Sequence, residues 1–386
     1  VLEDRETYNQ VWREFMAVRK QIYQNAGFDD YRQYAWLDRG RFDYSPEDAV
    51  AFTQAIADVV VPANERLIEQ ERQALGYDTM RPWDTVVDPH GREPIVPYDS
   101  IETFKNQTEA IFMALDPQLG QQFKTMKDEN LLDLDNRKGK GPGGFCTYFA
   151  LSQRPFIFMN AVGQAGDVRT LIHEAGHAFH AFSDGLHPYR VVASAPMEFN
   201  EVASMAMELL AYPYLDEGRG GYLSTADTAR FRAERLRGTL SSWAYMAMVV
   251  RLQHWIYENH DEATNPDAVD AKWLELVSIY QPSIDWSGQE QFKTNRWRQQ
   301  LHIFRYPFYY IEYALARLGA VQVWANSLKD EVSALAQYQH ALSLGGTVTL
   351  PELYAAAGAK LAFDAETLGD AVSLIENTVL ELQSVQ

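Results

Sequence analysis

The chain has 386 residues, 46% of them hydrophobic, and a formal net charge of −19. That charge speaks against a nucleic-acid binder, which needs a basic surface to meet the phosphate backbone, and equally against an anionic membrane surface. A single cysteine, Cys146, excludes an internal disulfide framework and a cysteine-rich zinc site, and points to a reducing, cytoplasmic compartment.

Length alone suggests two or three domains. No linker rich in Gly, Ser or Pro separates them, so residues 1–386 are read as one region. No apolar run reaches the roughly 18 residues of a membrane-spanning helix, and no signal peptide is recognisable. The chain opens with Val1 inside a helix-like stretch, so a preceding segment is expected in the native protein.

Most of the chain reads as helix. Ser45-Pro46-Glu47-Asp48 is a helix start: a Ser cap, Pro at the first helical position, then acids at the positive helix end. Val50, Phe52, Ile56, Val59 and Val60 follow at mostly helical spacing, and Pro62 is expected to kink or end that helix. Residues 76–98 carry Pro82, Pro89, Pro94 and Pro97 and read as an extended loop. Ile101, Phe104, Ile111, Phe112 and Leu115 mark another amphipathic helix.

Aromatic-rich runs at 145–150 and 156–159 predict a small hairpin. Gly139, Gly141, Gly143 and Gly144 precede it, beside Arg137, Lys138 and Lys140. The pattern G-x-x-x-x-G-K-[ST] is absent, so this is a flexible loop entering an edge strand rather than a phosphate cradle. Asp167 is expected to cap the next helix. A loop rich in Pro and Ser follows around 183–197, then a helix over about 198–210 and a turn at 218–221. Long helices are predicted over about 226–259, 267–280 and 308–328, with a helical tail from residue 351.

The segment His173-Glu174-Ala175-Gly176-His177 is an H-E-x-x-H pattern within predicted helix. Histidines at i and i+4 project from one helical face and can share one zinc ion, with Glu174 close enough to activate water. The plain alternative is a helix with two unrelated surface histidines. A catalytic zinc takes three protein ligands, so the third must come from another element. Glu198, Glu201 and Glu208 are the candidates, and spacing does not choose between Glu198 and Glu201. His180 reads as a supporting or core histidine, because one helix face rarely supplies three tetrahedral ligands. Zinc lowers the pKa of bound water toward about 7, and Glu174 then serves as general base. Tyr306, Tyr310 and Tyr313 fall at i, i+4 and i+7, with Pro307 expected in the first helical turn and His302 just upstream. They are either hydrogen-bond donors to an oxyanion or an aromatic core stripe.

These segments together resemble the oligoendopeptidase F and thimet oligopeptidase family of zinc metallopeptidases. The resemblance starts near Asp30-Tyr31-Arg32-Gln33-Tyr34 and runs to the C-terminal helices. It is carried by residues 137–146, 170–180, Asn200-Glu201-Val202-Ala203-Ser204, and Pro307-Phe308-Tyr309-Tyr310-Ile311-Glu312-Tyr313. It implies a mainly α zinc-peptidase fold with a deep substrate cleft and a small β-sheet next to the H-E-x-x-H helix. It implies one Zn²⁺ per chain on His173, His177 and Glu201, with Glu208 in support. Glu174 would be the base, and His302, Tyr306, Tyr310 and Tyr313 would hold substrate and stabilise the oxyanion. The hairpin would be a substrate-binding sheet whose edge pairs with an extended oligopeptide. The implied activity is endopeptidase cleavage of short peptides; a related carboxypeptidase or a non-catalytic peptide binder are the other readings. Family members carry a further helical segment before the point where Val1 begins, which implies an N-terminal lobe or a partner chain beyond this sequence.

Overall fold

The computed structural model describes residues 2–184, 189 and 192–385, so the middle of the loop expected at 183–197 lies outside the described residues. The chain divides into two compact units, each assembled from three stretches. The first comprises Val1–Arg92, Arg237–Ala314 and Ala362–Val372, and the second Glu93–Leu236, Leu315–Leu361 and Ser373–Gln386. Both are mainly helical, as expected. No helix among the described residues is long and apolar enough to cross a membrane.

In the first unit, helix Arg5–Asn25 buries Trp12 and Met16 completely. The Trp12 ring meets Trp297 and Phe304 edge-on at 5.1 and 5.5 Å, and its indole N–H donates to the Ala263 carbonyl at 2.8 Å. Asp270 accepts from Trp297 Nε1 at 2.6 Å and from the fully buried Arg298 at 2.5 Å, the pairing a buried guanidinium requires. Ser45 and Asp48 form a reciprocal capping box at the start of helix Pro46–Ala55. Pro62 does not end that helix. The chain passes through a π-helical turn, Ile56–Val60, into helix Val61–Leu75, where Pro62 occupies the first turn. The π turn resets the backbone hydrogen bonds, so the missing proline N–H falls where none is needed.

The helix expected over 308–328 is present as Tyr310–Ser327, but the expected place of Pro307 in its first turn is corrected. Leu301–Arg305 is a short helix, residues 306–309 turn, and the next helix is Tyr310–Ser327. Phe308 stands at φ +63°, an unfavourable conformation for a bulky residue. Its ring is 1% exposed and lies against Trp36, His254 and Tyr257. Arg41 donates to its carbonyl at 2.6 Å, its N–H donates to Gln253 Oε1 at 3.2 Å, and Arg39 donates to the Pro307 carbonyl at 3.1 Å. Both arginines also pair with the buried Glu312. Pro307 therefore lies before the helix, and Tyr306 does not share a helical face with Tyr310 and Tyr313.

In the second unit, Ser100 caps helix Ile101–Leu115, and helix Pro117–Asp128 follows. Three strands then form one sheet: β1 (Leu132–Asp135), β2 (Phe145–Phe149) and β3 (Arg154–Ala161), in the order β1-β3-β2. The predicted hairpin is β2–β3, antiparallel, with Phe145 opposite Phe158 and Thr147 opposite Phe156. β1 runs parallel to β3 and was not predicted. The buried ammonium of Lys140 donates to the carbonyls of Asp133, Asp135 and Met159, so this basic residue ties the glycine-rich loop to the sheet. Helix Ala165–Asp184 packs on β2 and β3, and helix Met197–Ala211 packs on it in turn. Asp167 lies inside the first turn rather than at the cap. From there its carboxylate accepts the N–H groups of Val162 and Gln164 and the Tyr98 hydroxyl. The tail from Leu350 is two helices, Leu350–Ala356 and Ala365–Gln383.

The Arg41–Glu312 pair gives a direct stability prediction. Arg41→Ala leaves a buried carboxylate short of charge and frees the strained Phe308 carbonyl, so urea unfolding should show a loss of about 3–5 kcal/mol. A loss below about 1 kcal/mol would mean that Arg39 alone satisfies Glu312.

Candidate metal centre

Helix Ala165–Asp184 places His173 and His177 one turn apart, with ring centroids 5.0 Å from each other. The second helix comes unusually close. A Cβ at Gly176 would lie 2.6 Å from Ser204 Cα and 2.8 Å from the Ala203 carbonyl oxygen, so only hydrogen fits there. Ala203 and Ser204 are fully buried, and Tyr338 donates its hydroxyl to the Ala203 carbonyl at 2.7 Å.

This approach sets Glu201 Oε2 at 3.6 Å from His173 Nε2 and 3.7 Å from His177 Nε2. Candidate ligand atoms of the three residues all lie within 4.8 Å of one another, the one such group among the described residues. Tetrahedral zinc with bonds of about 2.1 Å separates its ligand atoms by about 3.4 Å. The two carboxylate–imidazole spacings are already within a few tenths of an ångström of that, so the donor set fits the ion. Glu198, buried on the same helix, is outside the group. Spacing left that choice open; the two carboxylates share a helix face, and it is the turn carrying Glu201 that stands at the histidines.

Glu208 orients His173. Its Oε1 lies 2.6 Å from His173 Nδ1, and its Oε2 accepts the Tyr212 hydroxyl at 2.8 Å. Burial pushes the Glu208 carboxyl up, but the His173 hydrogen bond and charge, with Arg169 and Arg317, outweigh it and hold the group at about 2. An ionised Glu208 accepts Nδ1–H and leaves the Nε2 lone pair on the Glu201 side. Burial lowers His173 too, but its carboxylate neighbours, Glu208 foremost, raise it overall. Burial and the neighbouring His173 keep His177 well below the ordinary imidazole value, in the neutral form a ligand needs.

Glu174 is 7% exposed. Burial pushes its carboxyl up to about 7, against the opposing pull of His173, and the Cys146 backbone N–H of β2 donates to it. The Cys146 thiol, raised to about 12 mainly by burial, stays protonated. His180 is 3% exposed, 3.5 Å from Asp184 and edge-on to Phe199, and lies outside the trio: a packed histidine.

The remaining candidates stand in the first unit. The His302 ring has Tyr306, Tyr309, Tyr310 and Tyr313 around it, with centroids at 5.9, 5.6, 5.0 and 6.1 Å. Tyr309 is an addition to the expected set, and its place three residues after Tyr306 and four before Tyr313 was the available signal. Gln300, 2.9 Å from His302 Nδ1, is another, and its position two residues upstream was the available signal. Burial and Arg39 lower His302, and burial raises Tyr310, so imidazole and phenol are both neutral.

Two measurements follow. Gly176→Ala forces the helices apart, so thermal unfolding should show a loss of about 1–3 kcal/mol together with weaker metal binding in chelator competition; unchanged affinity would remove the close-approach argument. Glu208→Ala should weaken metal binding by about 10–100-fold in the same titration, and an unaltered constant would deny Glu208 its orienting role.

A family model described as Peptidase family M3 matches residues 2–370. Over 339 residues the chain is 23% identical to "Oligoendopeptidase F, chromosomal" of Lactococcus lactis subsp. cremoris, covering 84% of this chain and 52% of that protein. It is 22% identical over 308 residues to "Oligopeptidase PepF" of Bacillus subtilis (strain 168), covering 74% and 42% respectively. The chain thus spans about half the length of the curated relatives it matches. Among solved structures, PZ peptidase A with an inhibitor is similar at a TM-score of 0.91 and 28% identity, over 100% of this chain and 67% of that one. The motifs, the helical fold with its small sheet, and the family match agree: this chain belongs to peptidase family M3.

Proposed function

We propose that the chain is a zinc-dependent endopeptidase that cuts internal bonds of short oligopeptides, with one ion held by His173, His177 and Glu201. The observation that carries this reading is the convergence of those three side chains beside the buried Glu174 carboxylate. When bound, a divalent cation there supplies a Lewis acid for the scissile carbonyl and a lowered pKa for water.

The chain's own residues supply the rest. Glu174 takes a proton from the attacking water on a carboxylate oxygen and gives it to the leaving amine; a proton affinity near neutrality suits both transfers. β2 is paired only with β3 among the described residues, and its outward Phe145 and Phe149 are each 49% exposed. Its free edge can accept an extended peptide as an added strand, which favours short, unfolded substrates. His302, Tyr306, Tyr310 and Tyr313, with Tyr309, are assigned to substrate holding and oxyanion stabilisation. Their clustering, and burial that keeps the His302 imidazole and the Tyr310 phenol neutral, support that assignment.

The test is a quenched fluorescent peptide blocked at both ends, assayed with chelator and then with zinc restored. Chelator-sensitive cleavage at an internal bond is expected, and Glu174→Gln should keep the metal while kcat falls by about 10²–10⁴-fold. Full activity in that variant sinks the base assignment. Cleavage restricted to peptides with a free C-terminus makes the protein a carboxypeptidase, and stoichiometric zinc without cleavage makes it a peptide binder.

A further inference from the structure

His302 lies at a junction that is held on every side. Gln300 joins helix Glu290–Gln299 to helix Leu301–Arg305; its N–H donates to the Trp297 carbonyl at 3.2 Å, and its own carbonyl accepts the Ile303 N–H at 3.0 Å. The His302 carbonyl accepts Gln253 Nε2 at 3.2 Å and the Tyr306 N–H at 3.2 Å. Neither residue can shift without breaking backbone hydrogen bonds.

The Gln300 side chain bridges two groups of different character. Its Oε1 accepts the Tyr245 hydroxyl at 2.9 Å, and its Nε2 lies 2.9 Å from His302 Nδ1. Tyr245 is itself fixed, with the Arg296 guanidinium 5.6 Å from its ring centroid and Trp273 and Tyr310 edge-on. A phenol that donates to Oε1 turns the amide NH₂ toward the imidazole. The flipped amide would leave the Tyr245 proton without this acceptor. An NH₂ group cannot accept a hydrogen bond, so Nδ1 must be the acceptor, and a neutral ring then carries its one proton on Nε2.

We propose that Gln300, oriented by Tyr245, is a positioning residue that locks His302 as the Nε2–H tautomer, making this ring a hydrogen-bond donor to a backbone carbonyl of the peptide substrate. The donor role rests on the substrate assignment given to His302 above; the tautomer lock does not. The burial and Arg39 charge that lower His302 fit the neutral ring the lock requires.

The experiment is a long-range ¹⁵N–¹H correlation spectrum of the zinc-loaded protein with ¹⁵N-labelled histidines at neutral pH, with His302 identified by the signals lost in His302→Gln. The expected spectrum has an unprotonated Nδ1 and a protonated Nε2. Gln300→Glu presents a carboxylate to Nδ1 and should move the proton there or charge the ring. Tyr245→Phe frees the amide to turn and should give a mixture of tautomers. A wild-type proton on Nδ1, or an unchanged His302 spectrum in Gln300→Glu, overturns the lock. In the blocked-peptide assay Gln300→Glu should lower kcat/KM about tenfold or more, the loss of one well-placed donor, with zinc content and circular dichroism unchanged. If the tautomer moves and cleavage does not, the lock stands and the substrate role assigned to His302 falls.

Discussion

The contact between helix Ala165–Asp184 and helix Met197–Ala211 is the constraint on which the candidate metal centre depends. One helix can present His173 and His177, but it cannot surround an ion, so the third ligand must be carried in by a second backbone. The distance of that backbone decides whether Glu201 reaches the imidazoles. Gly176 removes a Cβ that would hold the helices apart, and the backbone of the buried Ala203 and Ser204 meets it there. Glycine inside a helix costs about 1 kcal/mol relative to alanine, and here that cost is offset by burial along both helices. The sheet under the first helix fixes its other side, so the three candidate ligands and Glu174 refer to one rigid frame.

Around that frame the same buried environment drives two carboxyl groups in opposite directions. Glu174 faces burial with little compensation and rises toward neutrality. Glu208 is at least as buried, but it touches His173 and lies near Arg169 and Arg317, so it stays ionised. One environment thus yields a group able to exchange protons and another able only to hold a ligand in place. Pairs of acids pushed apart in this way are what acid–base chemistry in a single site calls for. The net charge of −19 plays no part in that division, which is set within a few ångströms.

The first unit solves a different problem: it holds a cluster of aromatic rings on a turn that is intrinsically unfavourable. Phe308 at positive φ persists because its ring is buried and because Arg41, Arg39 and Gln253 satisfy the polar groups of the turn. The turn lets Tyr306 and Tyr309 approach His302 from one side while Tyr310 and Tyr313 approach from the helix that follows.

By itself the sequence determined what local periodicity encodes. The i, i+4 histidines, the Ser45 capping box, the β2–β3 hairpin and most long helices follow from neighbours within a few residues, and those neighbours are the same in any fold. The alternation Leu132-Asp133-Leu134-Asp135 also carried a strand signal, but it is only four residues long, and its parallel partner β3 lies more than twenty residues away. Glu201 needed the family pattern, because Glu198 is one turn earlier with nearly equal reach, and only the packing of the two helices decides which turn stands at the histidines. The Phe308 turn, Tyr309 beside His302, and the bridge from Tyr245 to Gln300 were decided by tertiary structure alone, as was the division into two units of three separate stretches each. Contacts of that kind depend on which surfaces meet when the chain compacts, and no spacing along the chain records it.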